Sequence, residues 1–173
     1  VYGGVKRIGL RWSVQIENQK SLISSIIDGQ YHAPVINKLR NHTNLRTSGN
    51  EEVWIYGQYF GALNNEVNIR AWYTRLNGSI PGTSNVNDVI TAKRCFVKVK
   101  DTLIVCTSNE GAGKSFQWHL EVDEQNSTIF TNDSNTRYRN PYVSSVSGNT
   151  ELPTAVASSV ILSGTNFGPL NTY

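Results

Sequence analysis

Residues 53–61 read VWIYGQYFG, and residues 160–168 read VILSGTNFG. Val53, Gly57, Phe60 and Gly61 fall on Val160, Gly164, Phe167 and Gly168, each pair 107 positions apart. The same offset carries Tyr31 onto Tyr138 and Pro34 onto Pro141. Further back, LRWSVQIENQKSLI at 10–23 matches FQWHLEVDEQNSTI at 116–129, with Trp12 on Trp118, Gln19 on Gln125 and Ser21 on Ser127 at an offset of 106. Three ordered matches, two at an offset of 107 and one at 106 after a one-residue slip in the intervening loop, are the signature of a tandem array, and they constrain the fold more than any single motif does. The period is one domain. The chain therefore reads as a window of a longer one: residues 1–30 as the back part of one repeat, 31–137 as a complete repeat, and 138–173 as the front part of the next.

The patterning inside each repeat is that of strands. Leu10, Trp12, Val14 and Ile16 alternate with Arg11, Ser13, Gln15 and Glu17, and Phe116, Trp118, Leu120 and Val122 repeat the alternation, a period of two that predicts a half-buried strand. Val67, Ile69, Ala71 and Tyr73 set up another strand, with Trp72 on its outward side. CFVKVKDTLIVC predicts a hairpin turning about Lys100 and Asp101, with Cys95 opposite Cys106, Val97 opposite Ile104 and Val99 opposite Thr102. The pair Cys95 and Cys106 is open at this point to three states, reduced, bridged or half of a metal site, although two cysteines on one face of a hairpin make a bridge geometrically feasible. No segment of ten residues carries a helical apolar face, so the class predicted is all-β, a sandwich.

These residues resemble the immunoglobulin-like, plexin and transcription-factor module known as IPT/TIG. The resemblance rests on Tyr31 and Pro34, a valine-rich strand with the G-x-x-F-G phrase, then Cys95, a strand, Cys106, and the glycine-bearing turn with Gly111 and Gly113 before a last strand. It implies tandem immunoglobulin-like sandwiches, one complete and two partial, and an extracellular or cell-surface location. In that setting Cys95–Cys106 is expected to be a disulfide, and the sequons at Asn41, Asn77, Asn126 and Asn132 are candidate N-glycosylation sites. The polar stretch 76–91 and the sequence SSVSGNTELPTAVAS depart from the family pattern.

Other signals are weaker. SNEGAGKS at 108–115 lacks the first glycine of a phosphate-binding loop and leads into a strand pattern instead of a helix. His32, His42 and His119 do not fall at metal-ligand spacings and read as surface residues. Glu51 with Glu52, and Glu121, Asp123 and Glu124, read as solvated carboxylates with no apolar pocket to shift them. Asn132, Asp133 and Asn135 are the oxygen donors available to a junctional calcium ion, which the other linker, with Asp28 alone, does not match. The 16 basic residues, for a net charge of +3, are scattered instead of striped, which argues against nucleic acid. No apolar run is long enough to span a bilayer.

The functional expectation is a structural or adhesive module of an extracellular rod, fibre or filament, with no catalytic, cofactor-binding or metal site. Its partners are neighbouring repeats, copies of the same protein, other surface proteins or glycans. The alternative is a receptor-like ectodomain in which the exposed aromatics Trp72 and Tyr59 meet a protein or sugar.

Overall fold

The computed structural model describes residues 11–24, 31–63, 68–75, 89–128, 130, 135–148 and 159–169. All regular structure among them is antiparallel β, with no helix. The strands are β1 (Gln15–Ile16), β2 (Gln19–Lys20), β3 (Val35–Arg40), β4 (Glu52–Gln58), β5 (Ile69–Arg75), β6 (Val89–Thr91), β7 (Arg94–Val99), β8 (Leu103–Thr107), β9 (Phe116–Val122), β10 (Gln125–Asn126), β11 (Tyr142–Ser147) and β12 (Ile161–Thr165). Two four-stranded sheets, ordered β3-β4-β8-β7 and β10-β9-β5-β6, form the central unit. The pairs β1-β2 and β11-β12 are separate two-stranded sheets.

Period-two patterning builds the core. Val53 and Ile55 of β4, Val97 of β7 and Ile104 and Cys106 of β8 point inward from one sheet; Ile69, Ala71 and Tyr73 of β5 and Trp118, Leu120 and Val122 of β9 point inward from the other. All belong to a single apolar cluster, so the two sheets make a sandwich-like unit. Cys95 and Cys106 are directly opposed in register, with Cα atoms 4.1 Å apart, and are joined as a disulfide inside that cluster. The hairpin itself differs from expectation at its tip. A bulge between Val97 and Val99 sets Val99 opposite Leu103, not Thr102. Asp101 takes a left-handed φ of 65°, so the turn uses one more residue on the β7 side.

The register of β3-β4 returns in β11-β12. Val35 pairs with Gln58 and Ile36 with Gly57, a bulge follows, and Lys38, Leu39 and Arg40 pair with Tyr56, Ile55 and Trp54. Tyr142 pairs with Thr165 and Val143 with Gly164, a bulge follows, and Ser145, Val146 and Ser147 pair with Ser163, Leu162 and Ile161. Every partner is shifted by 107. Gly57 explains the glycine of the repeated phrase: a Cβ there would lie 1.9 Å from the Val35 carbonyl oxygen and 2.4 Å from Phe60 Cζ. At Gly164 the same atom would lie 1.9 Å from the Tyr142 oxygen and 2.7 Å from Phe167 Cζ. Left-handed φ values also recur, at Tyr59 and Gly61 and again at Asn166 and Gly168.

The other hairpin repeats as closely. Gln15 and Ile16 pair with Lys20 and Gln19, as Glu121 and Val122 pair with Asn126 and Gln125. Ser21 N donates to Val14 O at 2.8 Å, and Ser127 N donates to Leu120 O at 2.7 Å. Their hydroxyls accept from Val14 N and Leu120 N respectively. What differs is burial. Trp118 is 1% exposed, whereas its counterpart Trp12 is 63% exposed, because β9 lies beside β5 while β1 and β2 pair only with each other among the described residues. Of the half-buried strand expected at 10–17, residue 10 lies outside the described residues, and 11–17 are exposed with a ladder only at Gln15–Ile16.

Candidate functional site

A densely hydrogen-bonded seam lies where the chain leaves the central unit. Residues 135–139 read NTRYR, and alternation sends Thr136 and Tyr138 inward and Arg137 and Arg139 outward. This segment runs parallel to residues 42–46, with a bridge between Leu45 and Tyr138. Leu45 N donates to Arg137 O at 3.0 Å, Arg139 N to Leu45 O at 2.8 Å, and Arg137 N to His42 O at 3.1 Å. The outward guanidinium groups fasten the same seam, Arg137 Nε donating to Thr43 O at 2.9 Å and Arg139 Nε to Asn44 O at 3.3 Å. Glu51 ties it to β4: its carboxylate accepts from Arg46 N and pairs with the Arg46 and Arg139 side chains.

The inward residues make a buried polar network. Thr136 Oγ1 accepts from Trp118 Nε1 at 2.9 Å and pairs with His42 Nδ1 at 2.9 Å. Tyr138 donates its hydroxyl proton to Asn109 O at 2.9 Å, so the Tyr73 hydroxyl, 2.5 Å away, donates to the Tyr138 oxygen. Burial raises the pKa of both phenols, and for Tyr138 the neighbouring Tyr73 adds to the effect. Gly111 is required beneath this pair, since a Cβ there would meet the Tyr138 hydroxyl at 2.6 Å. Two expectations are corrected here. His42 is a core residue, buried because Thr136 and the backbone of Arg137 close over it, not a surface histidine. Tyr138, taken from its sequence match as the opening of the following repeat, packs in the core of the preceding unit.

Asp123 also differs from expectation. It is buried at the β9-β10 turn, and desolvation raises its carboxyl above the usual range, an effect that the Asn68 side chain partly offsets. A solvated carboxylate would show neither property. His119 faces outward from β9, its ring stacked on Trp72 at 5.4 Å and its Nε2 2.8 Å from Thr74 Oγ1. Partial burial lowers its pKa. Trp72 does face outward, half covered by that stack. Tyr59 is exposed and stacks on His32. Asn41 is exposed at the start of the seam with a left-handed φ of 60°, and Asn126 is exposed on the edge strand β10. Asn77 and Asn132, and with Asn132 and Asp133 most of the calcium candidate, lie outside the described residues. Among the described residues no group of three or more His, Cys, Asp or Glu is placed to hold a metal ion, and no helix is long and apolar enough to cross a membrane.

No protein-family model, curated protein or solved structure matches this chain. Fold and junction together define a disulfide-bonded, all-β, sandwich-like protein whose exit segment is stitched to its own entry half. The disulfide points to an oxidising, extracellular type of environment.

Proposed function

We propose that this chain is a stretch of an extracellular tandem IPT/TIG protein, acting as a structural or adhesive module in a rod, fibre or filament at a cell surface. The observation that carries this reading is the recurrence, 107 residues apart, of one hairpin with one register, one bulge and one glycine–phenylalanine contact. Such identity is what successive copies of a single unit produce. The seam supports it further. Parallel backbone bonds between residues 42–46 and 135–139, reinforced by two arginines and two buried hydroxyl networks, restrict how the chain leaves each unit. A restricted exit makes a stiff array, and stiffness with reach serves adhesion or scaffolding.

Two measurements test the reading. Electron microscopy of the purified natural protein is expected to show a linear string of similar beads, and labelling of intact cells with a membrane-impermeant amine reagent is expected to modify it. A compact particle, or full protection from the reagent until lysis, would overturn the proposal.

A further inference from the structure

The two outer faces of the central unit are chemically unlike. On the face of β10-β9-β5-β6, Arg70 lies opposite Glu121 in register, Trp72, Thr74 and His119 are half-buried beside them, and Gln117 is buried with its amide on the Phe130 carbonyl. Among the described residues of β5 and β9, the outward charges of that face are one cation and one carboxylate. On the face of β3-β4-β8-β7, one row runs Arg40, Trp54, Val105, Phe96, and the next runs Lys38, Tyr56, Leu103, Val99. Arg94 and Lys98 project from the same side of β7, and Glu52 from the same side of β4, so among the described residues this face gathers four cations and one carboxylate.

The cations are held by the rings. Lys98 Nζ sits 4.5 Å from the centre of Trp54, the Arg40 guanidinium 5.9 Å from Tyr56, and the Arg94 guanidinium 5.5 Å from Phe96. To reach Trp54 on β4 from β7, the Lys98 side chain must cross β8, which accounts for Val105 being only 1% exposed although it points away from the core. The result is a flat apolar layer carrying positive charges at fixed places. Fixing them beforehand lowers the ordering cost of meeting an anionic partner.

We infer that this sheet face binds a linear acidic polysaccharide, one carrying carboxylate or sulfate groups. Charge complementarity selects an anion. The acidic groups meet Lys38, Arg40 and Lys98, and the sugar rings lie along those exposed parts of Trp54, Tyr56 and Phe96 that the cations leave uncovered. An acidic peptide would meet the same cations, but a chain of sugar rings uses the row of aromatic side chains as well as the charges, and that second contact favours the polysaccharide. Nucleic acid is disfavoured by the oxidising compartment that the Cys95–Cys106 bridge requires. Binding there needs the face alone and is independent of the array.

The test uses the whole chain and immobilised heparin and polygalacturonate as sulfate and carboxylate probes, with dextran as the neutral control. The face variant is Lys38→Gln with Arg40→Gln and Lys98→Gln; the charge-matched control is Arg11→Gln with Arg70→Gln and Lys114→Gln. We expect binding to at least one acidic polymer and none to dextran, with weakening as salt rises from about 0.05 to 0.3 M. The face variant should raise Kd by about tenfold or more and the control by less than about twofold. Should the triple variant unfold, Lys98→Gln alone is expected to weaken binding measurably with an unchanged melting temperature. Equal losses in both variants, no binding to either acidic polymer, or tighter binding to polyglutamate or an oligonucleotide than to both polysaccharides would overturn the inference.

Discussion

Substituting Gly57 by alanine probes the repeated phrase at its most constrained atom. The added Cβ would stand 1.9 Å from the Val35 carbonyl oxygen and 2.4 Å from Phe60 Cζ. Neither neighbour can yield cheaply: the carbonyl belongs to the β3-β4 ladder, and the Phe60 ring is 0% exposed. Restoring ordinary contact requires β3 to move by more than about 1 Å, which places the cost at the upper end for overpacking, about 3 kcal/mol. For a unit of this size that lowers the melting temperature by roughly 12–20 °C. Urea unfolding followed by tryptophan fluorescence and by near-ultraviolet circular dichroism measures it. Gly164→Ala is the internal comparison. Its Cβ meets the Tyr142 oxygen at the same 1.9 Å, yet Phe167 is 44% exposed and free of the central core, so the main transition should not shift. A Gly57→Ala cost below about 1 kcal/mol would refute the steric reasoning.

Three other outcomes follow from the same geometry. Reducing Cys95–Cys106, which closes a loop with a sequence separation of 11, should destabilise the central unit by about 3 kcal/mol; a midpoint in urea unchanged by reduction would contradict this. Tyr138→Phe deprives Asn109 O of its donor and the Tyr73 hydroxyl of its acceptor, for a loss of about 1–3 kcal/mol in urea unfolding, with the fold retained in circular dichroism. Because burial raises the pKa of both phenols, their neutral forms contribute stability that is intact below the ordinary phenol value of 10.0 and is lost as pH climbs past it towards the folded-state values. Spectrophotometric titration, compared with that of Tyr73→Phe and Tyr138→Phe, should therefore show Tyr73 and Tyr138 ionising only with cooperative alkaline unfolding, whereas their smooth ionisation in the folded protein would contradict it.

Much of the sandwich was legible because period-two patterning is a direct record of which side chains face the core. Val53 and Ile55 against Trp54 and Tyr56, or Ala71 and Tyr73 against Trp72, place themselves. The cysteine hairpin was legible in its register at Cys95 and Val97 but not beyond, since a bulge is set by the turn that follows and not by local hydrophobicity. The seam was not legible at all. His42 and Thr136 stand 94 positions apart, and a parallel bridge between a loop and an exit segment leaves no periodic mark on either. Asp123 was misread for a related reason: a carboxylate at a turn looks solvated until the packing of its neighbours is known. The members of the cationic sheet face, Arg40, Trp54, Tyr56, Phe96 and Lys98, are scattered along the sequence, and only the pairing of β3, β4, β8 and β7 gathers them onto one surface.

The measurement closest to the heart of the account is urea unfolding of residues 31–139 produced alone, under oxidising conditions, beside the whole chain. If one self-sufficient sandwich recurs along the polypeptide, the fragment unfolds in a single cooperative step with a midpoint within about 0.3 M of the main transition of the whole chain. A fragment that fails to fold, or that melts gradually without a midpoint, would show that the unit between Tyr31 and Tyr138 does not stand by itself, and the repeat would lose its physical meaning.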